Sequence, residues 1–546
     1  MHAAPHGVST SVSRWCTVPH PHDRLTAISA RSRGPRVQAQ TQSQTQTFHS
    51  ASERGDAPML AFVGILLVAL GPAAAVLQMP LPIVFGVGGV LAMIILASRP
   101  DIATLLVVAI VYSNAAVVAV RFHDVPFTLA AGTPLLLALP LGWHLLIRRQ
   151  PLVLPRAVPW IAGYLLAMLL SAALARDAAS AAEAVGIFVT EGFLLYLLIV
   201  NCVRTQRMAV ALVCILVALA AVLSVLSIHQ LVTDNFSSNY LGFAQVGGTG
   251  SDVLTGVEAE SRTAGPFGRA NRYAQILVLV LPLVFTIVWA RLSRVTTLLA
   301  MVAGILMSIA TALTLSRGAA VGFAMVLFVM VVLRYIRLGH IAIVAVAVIG
   351  LFLAVPGYGD RLDTLSRVPG LAEEGVEADG SVRSRITEMI AAALVFIDHP
   401  VLGVGPGQFP VYYIEYAEKF GLRVRAEDRE AHNLYFGLAA DVGIVGSVFF
   451  LGATGVTMAD LYRVRKRLIN ENPVLAHLAA GLMLSILTYL TTGLFLHLAF
   501  ERYLWMMMAL GSAVALLARQ QPAVEPTRVA VALRPRGLPG EAVTGG

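Results

Sequence analysis

The residues of this chain best suited to chemistry fall in four short stretches. Arg262, Arg269, Asn271 and Arg272 share one, and Ser316-Arg317-Gly318 form another. A glycine-rich run extends from His399 to Phe409, and His432-Asn433 directly precede an apolar run. Glu191 stands apart, alone inside a different apolar run. Arginine keeps its charge at any pH a cell meets and grips anionic oxygens with two N–H groups at once. Histidine takes up and releases a proton near neutrality. The glycine run is not a nucleotide loop, because no Gly-Lys-Ser/Thr follows it and no strand is expected before it. It reads instead as a tight loop that permits close backbone approach. Cys16, Cys202 and Cys214 have neither metal-ligand nor redox spacing.

The elements that must position these residues follow from composition. The 546 residues are 57% apolar and only 13% charged, with mean hydropathy +0.76, whereas a soluble chain is about a quarter charged. Many apolar runs reach the roughly 20 residues that cross a hydrocarbon core of about 30 Å. The expected class is therefore an all-α polytopic membrane protein. Spans are expected near 59–77, 81–97, 102–120, 127–147, 157–175, 184–203, 208–232, 272–290, 295–315, 318–336, 339–356, 433–457, 474–496 and 502–518, about 14 helices. The net charge of +8 and pI near 9.6 would suit nucleic acid. The basic residues, however, sit singly or in small groups at the ends of apolar runs, as topology signals do. Membrane lipids, not nucleic acid, are the expected surroundings.

With a cytoplasmic N-terminus, the short inner loops hold Arg99, Arg148, Arg149, Arg156, Arg204, Arg207, Arg291, Arg294, Arg334, Arg337, Arg463, Arg465, Lys466 and Arg467. The short outer connections hold one basic residue each, Arg121, Arg176, Arg317 and Arg502. The alternation never breaks, which places both termini in the cytoplasm. No cysteine then lies in an external loop, so no external disulfide framework is expected. Residues 1–58 lack an apolar run, include the tract Gln38–Thr47, and read as a disordered cytoplasmic segment. Met59 opens the first apolar segment, and translation is expected to start there; N-terminal sequencing of native protein checks this. Residues 519–546 form a cytoplasmic tail.

Two outer loops are long, 233–271 and 357–432, the first within the helical region 59–356 and the second preceding the helices of 433–518. The second opens with an acidic, solvated stretch from Asp360 to Asp379. Next, Ile386, Ile390, Ala393, Leu394 and Ile397 in Arg383–Asp398 fall on one helical face. That helix is too short to span and is expected along the outer membrane interface.

His432-Asn433, nine residues, then Gly443-Ile444-Val445-Gly446 resembles the His-(Asn/Ser/Gln)-x9-Gly-x-x-Gly pattern of the bacterial O-antigen ligase and polymerase family. Arg262-Thr-Ala-Gly265-Pro-Phe267-Gly-Arg-Ala-Asn271 is similar to the family's Arg-x-x-Gly-x-Phe-x-x-x-Asn segment, with Ala270 where proline is usual. Leu315-Ser316-Arg317-Gly318 resembles its Ser-Arg-Gly turn. The resemblance covers roughly residues 260–450.

It implies an integral-membrane glycosyltransferase on the outer face of the bacterial inner membrane. The implied donor is a glycan on undecaprenyl diphosphate, and the acceptor a hydroxyl of lipid A–core or another envelope glycan or lipid. The implied transfer is inverting and uses no metal or other cofactor, in keeping with the lack of Asp-x-Asp or metal-ligand spacing in the outer loops. An anionic diphosphate needs fixed positive charge, which Arg262 and Arg317 would supply, with Arg269, Arg272, Asn271, Asn433 and Glu191 as supporting residues. A helix N-terminus adds partial positive charge for the same anion. His432, at a helix mouth where neutral imidazole is favoured, is the candidate general base.

Plainer roles stand beside these. His432 suits an ordinary helix mouth, Arg317 a headgroup anchor, Arg262 an ion pair with Glu258 or Glu260, and Asn271 a helix cap. Gly443 and Gly446 are expected to allow close helix packing. Glu191 either lines the donor cavity or hydrogen-bonds a neighbouring helix. Asp441 lies too deep along the helix to bond His432 directly, while His229, His497, Glu501 and Arg502 sit near the outer surface. A ligase handing over a finished glycan and a polymerase joining repeats would need the same leaving-group site. A flippase for the same lipid-linked glycan is the competing class, though no internal repeat is found. A purely structural scaffold gives no reason for the motif.

Overall fold

Unbroken runs of leucine, valine, isoleucine and alanine fold as helix because only then are the backbone polar groups satisfied without water. The computed structural model describes residues 99–247, 262–314, 316–336, 380–421, 430–496 and 502–521, without the side chains of 380–384. Outside these lie the segment 1–58 with Met59, the spans at 59–77, 81–97 and 339–356, the acidic stretch before 380, and the tail after 521. Glu258, Glu260, Leu315, His497 and Glu501 also fall outside.

Helix α1 (Pro100–Tyr112) begins on a proline and gives way at left-handed Asn114 to α2 (Ala115–His123), bent from it by 60°. Short helical pieces follow: α3 (Phe127–Ala131), a 3-10 turn Thr133–Leu137, α4 (Ala138–Gly142) and a π turn Trp143–Ile147. After α5 (Val158–Ala172), the Asp177 carboxylate caps α6 (Ala178–Ile187). That helix runs through a π turn, Phe188–Leu194, into α7 (Leu195–Cys202). Thr205 caps the long α8 (Gln206–Val232).

Strands β1 (Gln245–Gly247) and β2 (Arg262–Gly265) pair antiparallel. This two-stranded ribbon departs from the all-helical expectation. The chain continues through α9 (Ala270–Ala290), α10 (Arg294–Leu313), α11 (Arg317–Val332), α12 (Gly380–Asp398) and α13 (Phe409–Lys419). It ends in α14 (Leu434–Leu468), α15 (Pro473–Thr492) and α16 (Arg502–Arg519).

Among the described residues six helices are long and apolar enough to cross a membrane: Ala178–Cys202, α8, α9, α10, α14 and α15. The bent pair α1 and α2 would make a seventh, and Thr133–Ile147, α5 and α11 are shorter apolar helices. The expected single span at 127–147 is a chain of short pieces, because Pro134 and Pro140 interrupt the helical bonding. The span expected to end at 457 continues to Leu468.

Of these candidate spans, α9 and α15 are the most enclosed, with 78% of their apolar window buried. Beside them α16 buries Tyr503, Trp505 and Met506 to Met508. By contrast, α10 exposes Leu298, Leu299, Val302 and Ile305, an apolar side suited to lipid.

Helices α12 and α13 form a small separate cluster around Ala391, Val395, Phe409, Tyr412, Tyr413 and Tyr416. The isoleucine stripe expected at the membrane interface is not the side of α12 packed against the protein. It is Thr387, Glu388, Ala391, Ala392 and Val395 that pack inward, while Ile390 and Ile397 are exposed. Small side chains permit close packing on α14; the larger apolar ones are left facing outward.

Candidate functional site

Helix α14 is broken within its first turns. Gly443 takes φ +62° and ψ −165°, a region only glycine enters readily. The break strands peptide groups that an intact helix would pair. The glycine-rich loop pairs them instead. Val404 N and Gly405 N donate to the carbonyls of Ala440 and Asp441 at 2.9 Å each. In return Ile444 N and Val445 N donate to the carbonyls of Pro400 and Val401 at 2.9 and 3.3 Å. The approach is close enough that a Cβ on Gly443 would lie 2.2 Å from the Val401 oxygen, and one on Gly403 would lie 2.5 Å from the Ala440 oxygen. The expectation that Gly443 serves helix packing is therefore corrected: it opens the helix to the loop. Gly446 does sit over Ala167 of α5.

The buried Asp441 carboxylate secures the same loop, accepting from Gly407 N at 3.0 Å and Phe409 N at 3.2 Å. It thus holds the start of α13. Gln408 bonds both backbone groups of Asp177 at 2.9 Å, and Arg176 pairs with Glu415 while covering the Tyr412 ring at 3.9 Å. The hydrogen bond from Arg176 holds the Glu415 carboxyl below the usual carboxylate range. Helices α12 and α13 are in this way fastened to the C-terminal end of α5, the start of α6 and the first turns of α14.

His432 follows, immediately before α14, with a left-handed backbone at φ +44°. Its Nδ1 lies 2.9 Å from the carbonyl of Glu430 and 2.9 Å from Oε2 of Glu388. The Glu430 carbonyl can only accept, so neutral His432 carries its proton on Nδ1 and its lone pair on Nε2. Its side chain is 28% exposed, against 1% for Glu388. Glu388, on the buried face of α12, was not singled out by the sequence. The helical period places it opposite the isoleucine stripe, and only the fold shows that this is the packed side.

Asn433 is the N-cap of α14, accepting from Tyr435 N and Phe436 N at 2.9 and 3.1 Å. Its amide donates to Leu494 O at 3.0 Å, and Leu434 N donates to Gly493 O. These bonds give Asn433 a structural place, latching the loop to the turn that follows α15.

The arginine stretch reaches the same end of the bundle. Arg262 donates through Nε to the Thr314 carbonyl at 2.8 Å, and again through Nη2, which also meets Asn271 Oδ1 at 3.4 Å. Its carbonyl partner is three residues before Arg317. The expected pairing of Arg262 with Glu258 or Glu260 falls outside the described residues. Asn271 does not cap α9, whose N-cap is Arg269; it lies in the first turn and accepts from Arg262.

Arg269 reaches Glu430 Oε1 at 3.3 Å, joining this stretch to the loop of His432. Arg272 sits half-buried on the first turn of α9. Arg317 opens α11 behind the N-cap Ser316 and is half-buried. A Cβ on neighbouring Gly318 would lie 3.0 Å from Phe495, beside the Leu494 that Asn433 holds. Three helix N-termini, those of α9, α11 and α14, are thereby gathered with these arginines.

Glu191, in the π turn between α6 and α7, pairs with Arg502 at 2.6 Å. Arg502 also bonds Asn114 at the bend between α1 and α2, and Asn114 donates to Pro266 O at 2.8 Å. Of its two expected roles, Glu191 shows the interhelical one, through a network that ends on the 262–271 stretch. His229 is engaged elsewhere, its Nδ1 2.6 Å from the Tyr240 hydroxyl. Asp441, as expected, does not bond His432.

The segment 302–451, from within α10 to within α14, matches the family model described as O-Antigen ligase. That segment, about a quarter of the chain, is thus similar to the O-antigen ligase family. No curated protein matches the chain. The matched segment contains Arg317, Glu388, the glycine-rich loop, His432 and Gly443, while Arg262 to Arg272 precede it. The matched segment and the apolar helices together support a multi-pass membrane protein of the O-antigen ligase and polymerase type.

Proposed function

We propose that the protein is an O-antigen ligase-type glycosyltransferase of the bacterial inner membrane, working on the outer face with both termini in the cytoplasm. Its donor is a glycan linked to undecaprenyl diphosphate, and its acceptor a hydroxyl on lipid A–core or another envelope molecule. One observation carries the reading: His432 is hydrogen-bonded through Nδ1 to the Glu430 carbonyl, and the side chain of that same Glu430 meets Arg269 of the stretch that bonds Arg262 to the turn preceding Arg317.

In the proposed reaction the acceptor oxygen attacks the anomeric carbon from the face opposite the diphosphate. The hydroxyl proton passes to Nε2 of His432, and the carbon–oxygen bond to phosphate breaks. Its electron pair leaves with undecaprenyl diphosphate, so the configuration inverts. Arg262 and Arg317, with Arg269, Arg272 and the gathered helix N-termini, offset the charge on that leaving group. No metal is required for the step as written.

The test is reconstitution of the purified protein with an undecaprenyl-diphosphate-linked glycan and candidate acceptors, with and without a chelator. Transfer of one preassembled block, unaffected by chelation, supports the ligase. A ladder of products would instead make the enzyme a repeat-unit polymerase served by the same leaving-group site. Movement of donor across the bilayer without new glycosidic bonds would make it a transporter.

A further inference from the structure

We propose that Glu388 is a positioning residue for His432, fixing the ring so that Nε2 faces the acceptor; the inference rests on the glycosyltransfer reading above. A carboxylate removed from water is costly unless something compensates it. Glu388 is 1% exposed, on the face of α12 that packs against α14. One of its oxygens lies 2.9 Å from Nδ1 of His432. The ring N–H is hydrogen-bonded to the Glu430 carbonyl, and the Glu388 oxygen lies at the same distance from that nitrogen as a charge neighbour.

That arrangement does two things. The carbonyl bond and the carboxylate together favour the tautomer whose basic nitrogen is Nε2, and they hold the ring on one side. It also sets a negative group beside an imidazole that becomes positive when it takes the acceptor's proton, an interaction stronger in the transition state than before it. The sequence interval is long, 44 residues from Glu388 to His432. The unit of α12 and α13 closes it by packing on α14. On this account that unit delivers the carboxylate that orients the base.

The test compares Glu388→Gln and Glu388→Asp with wild type in the reconstituted transfer assay, measuring kcat, KM for donor, donor binding and melting temperature. A selectively 15N-labelled histidine sample reports the His432 tautomer. Glu388→Gln is expected to lower kcat by about 10- to 100-fold with donor binding and KM nearly unchanged, and to weaken the Nδ1–H tautomer. Glu388→Asp is expected to recover part of the loss.

Wild-type kcat in Glu388→Gln would overturn the proposal. So would a parallel fall in donor binding and melting temperature that aspartate does not relieve, because a packing role would produce that pattern. His432→Ala is the control. If it is inactive while Glu388→Gln is fully active, only this inference fails. If His432→Ala transfers at the wild-type rate, the base assignment itself fails and takes this role with it.

Discussion

A left-handed backbone costs a residue with a Cβ roughly 1–2 kcal/mol, and His432 holds one at φ +44°. Asn433 makes that affordable by capping α14 and latching Leu494. Replacing Asn433 with alanine is therefore expected to cost about 1–2 kcal/mol of stability, read as a lower melting temperature in detergent. Aspartate, which keeps the capping oxygen, should retain most of it. Arg262 poses a different test. Its fork spans the Thr314 carbonyl and Asn271, which lysine's single ammonium cannot reproduce. Arg262→Lys is expected to raise KM for donor and lower kcat by about tenfold or more, measured in the transfer assay; unchanged constants would show that charge alone suffices there.

At the scale of elements, the join between the glycine-rich loop and the broken α14 is the chief device. Irregular backbone in a membrane helix persists only where protein satisfies it, and four backbone bonds from the loop do so here. Gly443→Ala is expected to destabilise by about 1–3 kcal/mol from the backbone region alone, with the overlap against Val401 O adding to it. Gly446→Ala is expected to be milder. Comparing the two melting temperatures separates a break from a packing contact.

The fastening by Arg176 also has a pH signature. Arg176 depresses the Glu415 carboxyl below its ordinary range, so its contribution is present above the unfolded-state value. It is lost as pH falls through the depressed, folded-state value. Hydrogen exchange in α13 should accordingly rise on acidification below the carboxylate range and not between pH 6 and 8. Both side chains are about half exposed, so the effect is expected to be modest.

Over the whole molecule, the sequence conveyed the helical class with several apolar spans, and it singled out the His432 and arginine stretches that the fold links through Arg269 and Glu430. Those readings rest on local quantities, namely run length, charge at run ends and short spacing. What it did not convey depends on long-range packing. Glu388 meets His432 across 44 residues, and Arg502 meets Glu191 across 311. The inward face of α12, carrying Glu388, is made of small residues that leave no hydrophobic stripe to read. Gly443 looked like a packing glycine because a helix break leaves no mark in hydrophobic periodicity. The two-stranded ribbon rests on three paired positions, too few to show as alternation.

The two ends of the bundle are chemically distinct. Arg156, Arg463 and Arg519 all meet Asp460 near the far end of α14 from His432. Arginines at that end fit the cytoplasmic side, and labelling of single cysteines placed beside Asp460 and beside His432 should occur from opposite faces of sealed vesicles.

The central claim is that His432 takes the acceptor's proton during glycan transfer. The measurement that tests it most directly is the transfer rate of His432→Ala against wild type in proteoliposomes, with donor binding and melting temperature followed alongside. The account predicts a loss of about 10²–10⁴-fold in rate, with folding retained and donor still bound. A His432→Ala protein that transfers glycan as fast as wild type would contradict it.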